Sequence, residues 1–431
     1  MLKALTNVRI YDYEHCIDNG YVIFDEKIHE VGEMKDFKNN FYLVINGKGK
    51  LVLPNFVCAH SHIYSIFARG LSLPFNPTNF QEILDQMWWK LDSKIDNKIT
   101  YYSGIAAGYE FLLNGVTTII DHHASGTDII GSLSSLRKAL FSTLKLRGIY
   151  CFESSDRYDI DKCIKENVSF AKKYQDEYSS GLFGMHASMS LSDKSLEKIA
   201  KKQENLPIHI HVAESEMDII DCREKFNTTI VERLDKYNLI KKDSLLVHCV
   251  FTSEEELKII KDREAYVVIN PTSNLNNAVG ISDLKVFSDL GVKVMIGNDG
   301  LSSSMTTEYL NAYYLGHYYN DSPTALSLGV IIDCINNAYD YAGRRLGIKL
   351  GKIAPNYVSD FMLVDYTPFT QINENNIFGH IFFGLFPNFK PNDVYVGGAK
   401  LVKNGEVTSS KVNRALKEAK TYSDELWSRL K

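Results

Sequence analysis

The spacing of apolar residues changes character along this 431-residue chain. Up to residue 55, short β-rich runs are punctuated by Gly and Asn-Gly. Val8-Arg9-Ile10-Tyr11, Tyr21-Val22-Ile23-Phe24 and Ile28-His29-Glu30-Val31 are examples, and they predict strands joined by turns. A second rhythm starts near Leu53. Short β-rich runs there alternate with longer stretches of helical periodicity, including 129–145, 160–178 and 192–205. The strands of this part end near His60, Asp121, Glu153, His186, Ala213, Cys249, Asn270 and Asp299. Eight strands alternating with helices across 56–354 predict an α/β fold, a (β/α)8 TIM barrel. An open doubly wound sheet is the alternative, but no Gly-x-Gly-x-x-Gly or phosphate-binding loop follows any strand. After residue 355 the strand rhythm returns in 359–364, 394–398 and 400–403, the last closed by Asn404-Gly405. Segments 1–55 and 355–408 therefore predict one small β-sandwich domain built by both termini, and 409–431 reads as an amphipathic helix.

Chemistry concentrates at the predicted strand ends. Ala59-His60-Ser61-His62 closes the first barrel strand. Residues i and i+2 share a face of a strand, so both imidazoles can point to one place. Two neutral imidazoles suit zinc or another first-row divalent metal. Other strand ends carry His186, His211 with Glu214, His248 and Asp299. Active sites of such barrels form at the C-terminal ends of the strands, so these residues gather where a site belongs. His209 alternates in phase with His211 but lies deeper, and reads as a hydrogen-bonded core histidine. For His122 and His123, after Asp121, a pocket-facing and a structural role stand side by side.

Composition narrows the function classes. A net charge of −5 gives no electrostatic reason to expect nucleic acid or an anionic membrane as partner. No apolar run reaches transmembrane length, and the first residues lack the pattern of a secretory signal. Seven cysteines without a Cys-x-x-Cys pair suit free thiols in a reducing compartment, so the expected location is the cytoplasm.

The constellation His60-x-His62, His211-Val-Ala-Glu214, His248 and Asn298-Asp299 resembles the amidohydrolase superfamily, in its cytosine deaminase and chlorohydrolase-like branch. The flanking run Leu53-Pro54-Asn55-Phe56-Val57-Cys58-Ala59 is similar to that branch's opening, with Cys58 where Asn is usual. Tyr64-Ser65-Ile66-Phe67-Ala68-Arg69-Gly70, Ile120-Asp121-His122-His123-Ala124-Ser125 and Asn274-Leu275-Asn276-Asn277-Ala278-Val279-Gly280 resemble its SsnA-type aminohydrolases. The resemblance covers residues 1–408.

That resemblance implies hydrolysis of a carbon–nitrogen bond other than a peptide bond, with loss of ammonia from a purine-like or related N-heterocycle. It implies one divalent ion on His60, His62, His211 and Asp299: zinc first, iron or manganese as alternatives. Asp299 would act as base, Glu214 as proton donor, and His248 as partner of the attacking water, with His186 on the substrate. Two-metal members bridge their ions with a strand-four lysine. Here that strand ends Gly184-Met185-His186-Ala187, so one ion is expected. The loop 63–100 should roof the pocket with Trp88-Trp89; those rings either stack on a flat heterocycle or pack on the face of Phe80, Ile83, Leu84, Met87 and Leu91. Arg69 either grips an anionic substrate or closes a salt bridge. The competing readings are another leaving group (chloride, alkylamine or amide nitrogen) and a non-catalytic metal-binding scaffold. A small-molecule substrate and a homodimer are the expected partners.

Overall fold

The eight barrel strands are present in the computed structural model of the chain, which describes residues 2–300 and 302–431. They run Phe56–Ser61, Val116–His123, Arg147–Phe152, Phe183–Ala187, Ile208–Val212, Leu245–His248, Tyr266–Ile269 and Lys293–Ile296. Sequence neighbours pair in parallel within two groups, strands one to three and strands four to eight. Both seams are bridged: Ser154 pairs with Met185, and Ser61 with Asp299. Strand three thus meets strand four, and strand eight returns to strand one, as a (β/α)8 barrel requires. Residues such as Ile119, Tyr150, Ile210 and Val247 are fully buried in the apolar core around the strands.

Local chemistry sets the helix limits. Ile160–Lys173 and Asp193–Lys202 start where Asp159 and Ser192 accept hydrogen bonds from first-turn N–H groups. The second helix stops before Glu204 and Asn205, both at positive φ. The stretch 129–145 departs from one regular helix. Ser132–Arg137 is α-helical and then widens into a π turn over Lys138–Thr143.

Both ends of the chain build one continuous nine-stranded sheet. Leu51–Pro54 pairs in parallel with Lys3–Tyr11 and antiparallel with Phe361–Val364, so it joins the two halves. Leu5, Val8, Val22, Phe24, Phe361 and Tyr395 form its own apolar layer. The sheet is tied to the barrel by a buried ion pair: Arg147 Nε and Nη2 donate to the two carboxylate oxygens of Asp360, at 2.7 and 3.0 Å.

Helix Ser410–Ser428 lies across helix Asn97–Leu113. Tyr422 stacks on Tyr102 with ring centroids 4.2 Å apart. At its C-terminal end, Trp427 Nε1 donates to the Phe67 carbonyl at 2.7 Å, and Arg429 donates to the Lys94 carbonyl at 2.9 Å and to Asp96 at 2.8 Å. These bonds strap down the segment 63–100. The seven cysteines are free thiols. Among the described residues no helix is long and apolar enough to cross a membrane.

Candidate active site

His60 and His62 leave the end of strand one, and His211 ends strand five with its ring on the same inner face. Asp299 follows strand eight. Its φ of +62° lies in the left-handed region, which turns the chain back on itself. In that pose its N–H donates to the His60 carbonyl at 3.2 Å, and its own carbonyl accepts from the His62 N–H. The outcome is a cluster in which one ligand atom each from His60, His62, His211 and Asp299 lies within 4.8 Å of the others. His60 Nε2 and His62 Nε2 stand 3.0 and 3.2 Å from Asp299 Oδ1, and His62 Nε2 stands 3.1 Å from His211 Nε2.

The donor set suits a cation. His62 Nδ1–H donates to the His122 carbonyl at 2.7 Å, and His211 Nδ1–H donates to the His186 carbonyl at 2.9 Å. A neutral imidazole carries one N–H, so both Nε2 lone pairs point inward. His60 Nδ1 faces His209 Nε2 at 2.8 Å. Lone pairs and a carboxylate converging at 3 Å repel unless positive charge lies between them, and outer partners of this kind orient metal-binding histidines. The same demand draws a proton to His62. Burial opposes its charge, but the Asp299 carboxylate outweighs burial and raises it to about 9. Burial lowers His60 to about 4. The Asp299 carboxyl is itself pushed up by burial, yet hydrogen bonds from His60 and His62 hold it well below the usual range. A second, overlapping group of His62, His122 and Glu153 is less suited. There the His62 Nδ1 is already committed to a carbonyl, and the Arg157 guanidinium stands 3.3 Å from Glu153.

A narrow cavity of about 60 Å³ opens over the cluster. Glu214, His186, Trp88 and Trp89 line it with His62, His211 and Asp299. Glu214 Oε2 faces His248 Nε2 at 3.5 Å. Burial, then the nearby Asp299 charge, pushes the Glu214 carboxyl well above its ordinary value, so it holds a proton. His248 Nδ1–H donates to Asn274 Oδ1 at 2.8 Å, which leaves Nε2 as an acceptor. His186 Nδ1 lies 2.7 Å from Ser190 Oγ. Arg69 stands apart from these residues. It does not line the cavity and pairs with Glu110 at 2.7 Å, the salt-bridge alternative.

Several participants had no role assigned from the sequence. Ser273 Oγ donates to Asp299 Oδ2 at 2.5 Å, and Asn274 fixes His248. Both stand in Asn270-Pro271-Thr272-Ser273-Asn274 after strand seven, a run that resembles the family's without naming what its side chains touch. Glu153, Asp92 and Arg157 form a buried cluster beside the cavity. Arg157 donates to both Asp92 oxygens, at 3.2 and 3.0 Å, and lies 4.6 Å over the Trp89 ring. Only Glu153 was legible, as a strand end. His209 is the expected core histidine, fully buried, and it also props His60. His122 is inward, with Nε2–H donating to the His209 carbonyl, whereas His123 turns to Thr100.

A barrel carrying this cluster at its C-terminal rim belongs to a class of metal-dependent hydrolases, and the chain matches the Amidohydrolase family model over residues 51–401. The chain belongs to that family, whose members are hydrolytic enzymes acting on carbon–nitrogen bonds. It is 27% identical over 425 residues to a 5-methylthioadenosine/S-adenosylhomocysteine deaminase of Clostridium tetani, covering 94% of each chain. An adenosine deaminase from Xanthomonas campestris, solved with zinc, superposes with a TM-score of 0.82 at 18% identity, covering 99% of this chain and 98% of that one. The atrazine chlorohydrolase of Arthrobacter aurescens, also with zinc, gives 0.79 at 18% identity, covering 97% and 99%.

Proposed function

We infer that the protein is an aminohydrolase that releases ammonia from a 6-aminopurine nucleoside, using one divalent cation held by His60, His62, His211 and Asp299. One observation carries this reading. Glu214 and His248, 3.5 Å apart, flank the four-residue cluster at the floor of a cavity walled by Trp88 and Trp89. A bound cation, zinc first with iron or manganese as alternatives, supplies Lewis-acid activation of water. Relatives named as deaminases of adenosine derivatives support the choice of ring.

The chain's own groups account for the proton traffic. Water donates one hydrogen bond to His248 Nε2, whose acceptor state Asn274 fixes, and this orients its attack on the amine-bearing carbon. Asp299 takes the water proton at Oδ2. Glu214 gives its proton to the adjacent ring nitrogen, so that charge does not build up on the ring. The Glu214 carboxylate then relays the proton from Asp299 to the amine, which leaves as ammonia; the remaining hydroxyl proton passes to Asp299 and on to Glu214, which forms the carbonyl and restores both groups. A chloride leaving group needs no such proton, so Glu214 favours the amine. His186 and Trp88 contact the substrate, and Arg69 has no part in it.

The test pairs two variants under an ammonia-release assay and metal analysis. Asp299→Ala should lose both turnover and metal. Glu214→Gln should lose turnover and keep a metal content of about one per chain, because it removes only the proton donor. Near-normal turnover in either variant, or two ions per active chain, would overturn the assignment. A homodimer through the exposed aromatics Tyr314 and Phe383 belongs to the same reading, and light scattering decides it.

A further inference from the structure

Three fully buried side chains stand in line behind the cluster. They are His60 on strand one, His209 on strand five and Cys151 on strand three. His60 Nδ1 lies 2.8 Å from His209 Nε2, and His209 Nδ1 lies 3.4 Å from Cys151 Sγ. The sulfur also stands 3.6 Å from the Asp121 carbonyl on strand two. At the other end of the line, His60 Nε2 stands 3.0 Å from Asp299 Oδ1.

This support differs from that of the other two histidines. His62 and His211 each give Nδ1–H to a backbone carbonyl, which only accepts, so their tautomers are fixed. A neutral imidazole has one N–H and one lone pair, and a thiol both donates and accepts, so the line from Cys151 to His60 has two directions. In the first, Cys151 S–H donates to His209 Nδ1, His209 Nε2–H to His60 Nδ1, and His60 Nε2–H to Asp299. In the second, Cys151 S–H donates to the Asp121 carbonyl, His209 Nδ1–H to the sulfur, and His60 Nδ1–H to His209 Nε2. His60 Nε2 then presents a lone pair, as a cation requires. Both directions hold the same three protons, one on each ring and one on sulfur. Neither leaves a ring N–H unpaired, a fault that is costly in a dry interior.

We propose that His209 and Cys151 are positioning residues that let His60 exchange tautomers as a divalent cation enters or leaves. This rests on the one-cation site of the reading above and is independent of the substrate. The sulfur is the pivot, because it has a partner on each side: a ring nitrogen that either gives or takes, and a carbonyl that only takes.

Two measurements on the whole protein test this, and neither is turnover. Nitrogen NMR of histidine-labelled protein reads the tautomer of each ring, with the His209 signals assigned by their loss in His209→Gln. In protein stripped by a chelator, His209 should carry its proton on Nε2; after zinc is restored, it should carry it on Nδ1. The same His209 tautomer in both forms overturns the proposal. This arm needs no substitution at Cys151, so it stands even where a Cys151 variant fails to fold. Zinc affinity, read by competition with a chromophoric chelator, tests the sulfur. Cys151→Ala should weaken zinc about tenfold, the low end for outer partners of a metal-binding histidine. Cys151→Ser keeps a group that donates and accepts, and should stay within about twofold of the parent chain. Equal losses in the two variants would assign the sulfur to packing, against the proposal. A chain that takes up no zinc, iron or manganese sinks the one-cation reading and this proposal with it. Zinc uptake without the change of tautomer defeats this proposal alone.

Discussion

Glu308 sits in the first turn of helix Met305–Tyr319, fully buried, and accepts a hydrogen bond from the Thr272 N–H at 3.1 Å. Burial pushes its carboxyl up to about 7, against the partial relief of that bond. The folded chain thus keeps a proton that the unfolded chain releases near the ordinary value of about 4.5. Between those values the native state binds more protons, so stability falls as pH rises through the window, by about 1.4 kcal/mol per pKa unit at most. Glu308→Gln keeps the acceptor and removes the titration. Urea midpoints from pH 4.5 to 8 should fall less steeply in the variant, and parallel profiles would defeat the assignment. Legibility at this scale followed chain locality. His60 and His62 are readable because two residues on one strand share a face. The Asp92–Arg157–Glu153 cluster is not, because a loop residue meets a strand end only after the barrel closes. Arg69 shows the limit of a motif: its neighbours matched the family run, but its guanidinium meets Glu110 on another helix.

Elements show the same division. Short β-rich runs set between helical stretches located all eight barrel strands, since strands buried on both faces read as continuous apolar runs. Apolar periodicity located the roof helix but not its break. Phe80–Ile83 and Trp89–Asp92 are α-helical, and Leu84–Trp88 between them is a π turn. π turns insert a residue without changing the sequence pattern, and they recur at functional sites. Here the turn lets the adjacent Trp88 and Trp89 both line the cavity, so the two roles weighed for them coexist: Trp88, like Met87 and Trp427, also packs on the apolar cluster around Leu91 and Ile95. The strap over this roof was read only as an amphipathic helix. Trp427→Phe removes its indole N–H bond to the Phe67 carbonyl, a bond worth about 1 kcal/mol. Hydrogen exchange in 63–92 should rise by up to about tenfold with little change in global melting. Unchanged exchange there would show that the strap does not hold the roof.

In the whole molecule the barrel and the terminal sheet are linked through Arg147 and Asp360, each nearly inaccessible to solvent. Asp360→Asn would leave a buried guanidinium without its counter-charge, a loss of about 3–5 kcal/mol in urea unfolding. A loss below about 1 kcal/mol would mean that the interface stands on apolar packing alone. Short β-rich runs made most strands of the terminal sheet legible, but not Leu43–Asn46, Leu51–Pro54 or Glu406–Val407. The order of the sheet was not legible, because Leu51–Pro54 lies between Lys3–Tyr11 and a strand three hundred residues later. The strap is equally non-local, with Trp427 and Phe67 standing 360 residues apart. A ribosome adding about 5–20 residues per second needs tens of seconds to cover that distance. During this time the catalytic roof is made but unfastened, with Phe67, Leu91 and Ile95 lacking part of their cover. Completion of the active site thus waits until Trp427 has been made, and chaperone demand in the cell should fall on this half-finished roof.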